Sequence, residues 1–211
     1  MVLRVVNLGL PKTGTTTLAR ALRRAGLKVA DRRIRRRSTS DAALKGQFVA
    51  ELLYRGYFQS GDPGALLSEI DAISEMSLLR EDDSLWPQMD FALIMALRVH
   101  NPGLKFLASC RDPFELSQSM LAWSDLGMSR LPNSAIPGLP RDYGQTTKER
   151  MQWIRGHYAA LARFFGDDPD YLTYDIADPL ARDRIGDFLG LELPWWGRLN
   201  ANPVRAGASA T

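Results

Sequence analysis

Residues 9–17 read Gly-Leu-Pro-Lys-Thr-Gly-Thr-Thr-Thr and directly follow a mostly apolar run, residues 3–8. The spacing predicts a strand that turns into a helix through a loop able to cradle an anion. Gly14 lets the backbone approach a phosphate with no Cβ in the way. Thr15, Thr16 and Thr17 open the helix, and Leu18, Ala19, Leu22 and Ala25 continue it at helical spacing up to Gly26. A helix starting there aims free N–H groups, and the positive end of its dipole, at whatever the loop holds. Threonine hydroxyls add donors, Pro11 stiffens the approach, and Lys12 supplies a mobile positive charge. A tight strand-to-helix turn that binds nothing would fit the same spacing, but it has no need of a lysine and four hydroxyls.

The phosphate loop of nucleotide hydrolases reads G-x-x-x-x-G-K-[ST]. Gly9 and Gly14 keep that glycine spacing, but Thr15 stands where the lysine belongs. The loop's lysine is Lys12, two residues before Gly14. The displacement moves the cation along the phosphate chain, away from where an NTPase needs it.

The stretch Pro11, Lys12, Thr13, Gly14, Thr15, Thr16, Thr17, Leu18 resembles the 5′-phosphosulfate loop of the sulfotransferases, which use 3′-phosphoadenosine 5′-phosphosulfate (PAPS) as donor. The Pro-Lys-x-Gly-Thr-[ST] core right after an N-terminal strand is rarely seen outside that family. The resemblance implies that Lys12 contacts the 5′-phosphate and its bridging oxygen. It also implies that Pro11 belongs to the loop, and that the backbone and hydroxyls of Thr13 to Thr17 hold the rest of that phosphate.

PAPS also carries a 3′-phosphate, for which the family uses an arginine at a strand's end and a serine eight residues later. Residues 104–110 form a strand-like run that ends at Arg111, and Ser119 lies eight residues on. Arginine suits a phosphate because its planar fork donates two parallel hydrogen bonds. Ser117 competes with Ser119, since two residues' separation on a helix points them to different sides. Asp112 reads as a helix N-cap, Pro113 as the first helical residue and Glu115 as the partner in a capping box.

Sulfuryl transfer to a hydroxyl or amine needs a base for the acceptor's proton. Family members use histidine or an acidic residue on the third strand. Residues 70–76, Ile-Asp-Ala-Ile-Ser-Glu-Met, resemble the acidic version, which implies Glu75 as the base. Asp71 is the runner-up, at the strand's start. His100 reads as a cap or surface group at a helix end. His157 shares a helix with Trp153 and Leu161 and reads as packing.

The elements that must position these groups alternate. Strands are expected at residues 3–8, 27–30, 70–76, 104–110 and 171–174. Helices are expected at 15–25, 41–54, 88–99, 113–123, 146–165 and 179–189. Residues 125–144 are rich in Gly and Pro and read as a long mobile loop. The pattern predicts one domain over residues 1–211 of α/β class. Its mainly parallel central sheet should form three layers with helices on both faces, like the P-loop NTPases, and end in an irregular tail, 190–211. Ligands of such sheets bind at the carboxyl ends of the strands, where Lys12, Glu75 and Arg111 fall. A strand, an acidic turn at Asp175 and a helix ending in Phe188, Leu189 and Gly190 also resemble the family. The tail lacks the family's Arg-Lys-Gly signature.

Composition sets bounds. The chain has 211 residues and a net charge of +3 from 27 basic and 24 acidic side chains. That is enough chain for a full core and too little positive charge for the footprint of a nucleic-acid binder. Arg32, Arg33, Arg35, Arg36 and Arg37 are the one basic cluster. It reads as a solvated loop, with the alternatives that it holds an acidic acceptor or neighbours the nucleotide. Cys110 is the sole cysteine, so no intrachain disulfide forms, and it reads as a buried small apolar residue. No run approaches a membrane span, no signal pattern begins the chain, and a cytoplasmic location is expected.

Trp86, Tyr54, Tyr57, Phe58 and Trp123 could line an acceptor pocket, although aromatics at such positions usually pack in cores. Trp195 and Trp196 could close over the adenine or pin the tail. The resemblance implies PAPS as cosubstrate with no metal, and a small-molecule or glycan acceptor with no nucleic-acid or membrane partner. A small-molecule kinase or other P-loop NTPase, which would need ATP and Mg²⁺, is the second reading. A non-catalytic nucleotide-binding relative is the third.

Overall fold

Adjacent residues on each strand point to opposite faces of the sheet, and here both faces are covered. The computed structural model describes residues 3–80, 84–197 and 199. Its elements run β1 (Val5–Asn7), α1 (Thr15–Arg24), β2 (Val29–Ala30), α2 (Val49–Ser60), β3 (Ala72–Ile73), β4 (Leu78–Leu79) and β5 (Ser84–Leu85). A 3₁₀ turn, Pro87–Met89, leads to α3 (Phe91–His100), β6 (Lys105–Cys110) and α4 (Pro113–Leu121). A π-helical turn, Leu126–Arg130, then precedes α5 (Leu131–Asn133), α6 (Thr147–Phe165), β7 (Tyr171–Asp175) and α7 (Ala181–Leu189).

The central sheet has five strands in the order β2-β3-β1-β6-β7, and every pairing is parallel. Val5, Ala72, Leu107 and Tyr174 pack with Leu18 and Leu22 of α1 and Ile185 of α7. Val6, Ile73, Phe106 and Ala108 pack on the other side with Leu52 of α2, Leu97 of α3 and Leu161 of α6. The architecture is therefore the three-layer α/β fold expected from the sequence. Parallel pairing requires a crossover after each strand, which is why helices cover both faces. Among the described residues no helix is long and apolar enough to cross a membrane.

The helix starts explain themselves. The Asp112 side chain accepts the N–H groups of Phe114 and Glu115, with Pro113 at the first position of α4. The reciprocal capping bond expected of Glu115 is not made; its side chain lines a cleft instead. A complete capping box does form at α6, between Thr146 and Glu149.

Three expectations are corrected. The helix expected over 41–54 begins at Val49 and runs to Ser60. Before it, Asp41 Oδ1 accepts the Ala43 N–H, Gly46 takes φ 84°, and Phe48 pairs with Arg33 in an isolated bridge, so the chain loops. Residues 125–144 are not loop throughout. They hold the π turn, α5 and a bridge between Ile136 and Leu139, and Leu126, Leu131, Ile136 and Leu139 are buried. Gly127 permits this, because a Cβ there would lie 2.9 Å from the Leu121 backbone nitrogen. The third strand is only Ala72–Ile73, and a small antiparallel ribbon of β4 and β5 follows it unforeseen. The tail is irregular over 190–197, where Leu193 is buried. Most of the tail beyond lies outside the described residues.

Candidate anion-binding cleft

The carboxyl ends of all five sheet strands open into one cleft of roughly 1340 Å³. After β1 comes the loop with Pro11, Lys12, Gly14, Thr15, Thr16 and Thr17; after β3 come Glu75 and Ser77; after β6 comes Arg111, with Ser119 on α4. The outer strands contribute Arg32 and Arg35 beyond β2 and Ile176 beyond β7. The cleft thus gathers every site residue expected from the sequence except Thr13.

Thr13 turns inward. It is fully buried, its hydroxyl donates to the Leu10 carbonyl at 2.6 Å, and it lies 2.7 Å from Ser109 Oγ. Its role is to anchor the loop. Asn7 does the same from β1: its amide bonds the Ser74 carbonyl at 2.9 Å and Ser109 Oγ at 3.0 Å, tying β1 to β3 and β6. A polar side chain inside an apolar strand was the signal for Asn7, because a buried amide needs partners. Tyr158 adds a further tie, donating to the Ser109 carbonyl at 2.7 Å and accepting the Leu10 N–H at 3.3 Å. Gly9 packs so close that a Cβ would lie 2.1 Å from Ser109 Oγ.

At the helix start, Gly14 takes φ 85° and sits against Ile176, where a Cβ would fall 2.5 Å from the side chain. Lys12 also adopts a left-handed backbone, φ 75°, which is unusual for a residue with a Cβ. Its ammonium group stands 3.5 Å from the centroid of the Trp123 ring. Burial pulls the Lys12 pKa down, the Glu75 carboxylate raises it, and the Arg111 charge lowers it.

Glu75 Oε2 accepts the Thr15 hydroxyl at 2.7 Å and Oε1 accepts the Ser77 hydroxyl at 3.1 Å. Burial pushes the Glu75 pKa up; the bonds from Thr15 and Ser77 and the Arg32 charge act against it. Asp71 is at the strand's start as expected, accepting the Lys28 N–H.

The two serines separate. Ser117 is fully buried and accepts Arg150 Nε at 2.9 Å, whereas Ser119 lines the cleft, as Arg111 does. Arg111 is half-buried, and among the described residues no carboxylate forms an ion pair with it. His157 is buried, with Nε2 2.9 Å from the Leu8 carbonyl, and burial takes its pKa down to about 4. It is neutral and donates to that carbonyl, as packing rather than chemistry requires. Cys110 is half-buried, with burial lifting its thiol to about 11.

Of the candidate aromatics, Trp86 and Trp123 line the cleft. Tyr54 instead donates to Asp90, and Phe58 is 78% exposed. Trp195 lies beneath the Arg20 guanidinium, while Trp196 packs edge-on against Tyr174 and reaches the cleft. The Thr17 hydroxyl donates to the Gly197 carbonyl at 3.0 Å, so the tail meets the loop.

In comparisons with family models and with curated proteins, nothing matches this chain. The functional reading therefore rests on the residues and their geometry. Two separated cationic stations, Lys12 and Arg111, with a carboxyl beside the first, suit a ligand bearing two anionic groups and a reaction that moves a proton.

Proposed function

We propose that the chain is a PAPS-dependent sulfotransferase that moves a sulfuryl group to a hydroxyl or amine of a small-molecule or glycan acceptor. The observation that carries this reading is that the Lys12 loop and the Arg111–Ser119 pair, far apart in sequence, face one cleft, with Ser117 turned elsewhere. Arg111 lines the cleft and no carboxylate pairs with it among the described residues, so its planar fork is available to an incoming anion. The 3′-phosphate of the donor is such an anion.

In this mechanism Lys12 and the α1 N-terminus hold the 5′-phosphate, and Arg111 and Ser119 hold the 3′-phosphate. Glu75 takes the acceptor's proton as its oxygen or nitrogen bonds to sulfur. The bond from sulfur to the bridging oxygen breaks, and its electron pair stays on the leaving phosphate. Lys12 lies where that negative charge grows, so it stabilises the transition state more than the ground state. Glu75 must be ionised to act, and its raised pKa makes it a stronger base once it is.

Thermal shift distinguishes this from ATP chemistry. Adenosine 3′,5′-bisphosphate (PAP), the desulfated product, should raise Tm without divalent metal and by more than 5′-AMP does. Stabilisation by ATP with Mg²⁺ and none by PAP would replace the reading with a kinase or NTPase.

A further inference from the structure

The sheet order places β3 between β2 and β1, so Glu75 separates two cationic regions of the cleft. On one side stand Lys12 and Arg111, at the ends of β1 and β6. On the other stand Arg32 and Arg35, beyond the end of β2. The basic run is split by the fold. The Arg33 guanidinium lies 3.6 Å from the Phe48 ring centroid and bonds the Gly46 carbonyl, outside the cleft lining. Arg32 reaches the same ring at 5.7 Å, but it and Arg35 line the cleft.

Their charge is only partly offset, by Asp31, which also lines the cleft. Asp31 is shared between Arg23, at 3.2 Å, and Arg35, at 3.3 Å. Among the described residues no carboxylate forms an ion pair with Arg32, yet its charge reaches Glu75. Leu79, Trp86 and Met128 also line the cleft. The volume exceeds the about 300–1,000 Å³ typical of a site for one small molecule, which leaves space beside the donor.

We propose that the acceptor is itself an anion: a hydroxyl or amine compound whose carboxylate, phosphate or sulfate group is bound by Arg32 and Arg35, with the reacting atom at Glu75. This deepens the sulfotransferase reading and rests on it for the reaction, though not for the anion site. Arginine recognises all three groups through the same paired donors. The spacing makes a gauge: the anionic group anchors at β2 and the nucleophile reaches back across β3 to the donor.

The test uses matched pairs, each hydroxylated carboxylate against its methyl ester and each sulfate or phosphate against its neutral parent alcohol. One arm measures sulfuryl transfer from labelled PAPS. The anionic members should have the higher kcat/KM, and the ratio of anionic to neutral kcat/KM should fall about tenfold in Arg32→Met. The fall should lie in KM. The other arm measures thermal shift by the same compounds in wild type, Arg32→Met and Arg32→Met/Arg35→Met, with PAP at saturation. Anions should stabilise wild type more than either variant. Equal turnover of both members of each pair, or equal shifts in wild type and the variants, overturns the proposal. If PAP does not bind and nothing is turned over, the sulfotransferase reading fails alone, and the shift arm without PAP still decides whether Arg32 and Arg35 form an anion site.

Discussion

The Thr15 hydroxyl donates to Glu75 Oε2 at 2.7 Å, so the first residue of α1 holds the carboxyl just beyond the end of the neighbouring strand. Burial favours the protonated form of that carboxyl and raises its pKa. Between the ordinary carboxylate range and the raised value, the folded chain holds a proton that the unfolded chain has released. Stability contributed by Glu75 is therefore full at low pH and declines as pH rises across that window. Glu75→Gln should remove the decline, so its Tm at pH 8 should equal or exceed that of wild type, measured by scanning calorimetry. Its turnover should fall by about 10²–10⁴-fold, and the acidic limb of the pH–rate profile should vanish. A near-normal rate would exclude Glu75 as the base.

Lys12 is strained for the sake of its position. A left-handed residue other than glycine costs about 1–2 kcal/mol, and Lys12 sits at φ 75°. Lys12→Gly and Lys12→Ala both remove the ammonium and its contact with Trp123, but only the glycine relieves the backbone. Chemical denaturation should find the glycine variant about 1 kcal/mol the more stable of the two. Both should lose about 10²-fold or more in turnover. Equal stability of the two would mean that the loop relaxes around residue 12.

Ser117 and Ser119 should differ in what they do to PAP binding. Ser117→Ala leaves Arg150 Nε without its partner. Arg150 is buried and otherwise bonds only neutral oxygens, those of Gly144, Gln145 and Thr147. The loss should be about 1–3 kcal/mol of stability with PAP affinity retained. Ser119→Ala should weaken PAP. Arg111→Ala should weaken PAP by about tenfold or more while leaving 5′-AMP affinity alone. Calorimetric titration of the three variants checks all of this, and equal loss of 5′-AMP and PAP in Arg111→Ala would remove the case for a 3′-phosphate site.

How far the sequence could be read follows from what each feature depends on. The loop at residues 9–17 and the α4 start at Asp112 were legible because caps and glycines act within a few residues. The alternation of strands and helices was legible because the central strands are short, mostly apolar buried runs. The choice between Ser117 and Ser119 needed Arg150, which lies on another helix, so spacing alone could favour but not decide it. The segment 125–144 was misread because its Pro and Gly residues hid Leu126, Leu131, Ile136 and Leu139, whose burial depends on α6. The start of α2 was misread because Leu44 and Phe48 have helical spacing, while Phe48 is held extended by its bridge to Arg33. The inward turn of Thr13 depends on Ser109, on a distant strand, and no local signal marks it.

His157 makes a prediction that is independent of the catalytic reading. Its ring is buried and donates to the Leu8 carbonyl just before the loop at residues 9–14. Its pKa falls from an ordinary 6.5 to about 4 because burial penalises the charged ring. Between those values the unfolded chain binds a proton that the folded chain refuses. Stability from this group is thus full above pH 6.5 and is lost as pH falls toward 4, by about 3 kcal/mol in total. His157→Gln can keep a donor to Leu8 but does not titrate. Urea denaturation of wild type at pH 7, 5.5 and 4.5 should show a stability loss that the glutamine variant lacks over the same range. The difference is read against His100→Gln, since His100 is exposed at the end of α3 and is the chain's other histidine. If His157→Gln loses stability as steeply as wild type on acidification, the acid sensitivity lies elsewhere, and the neutral, packing role of His157 would have to be given up.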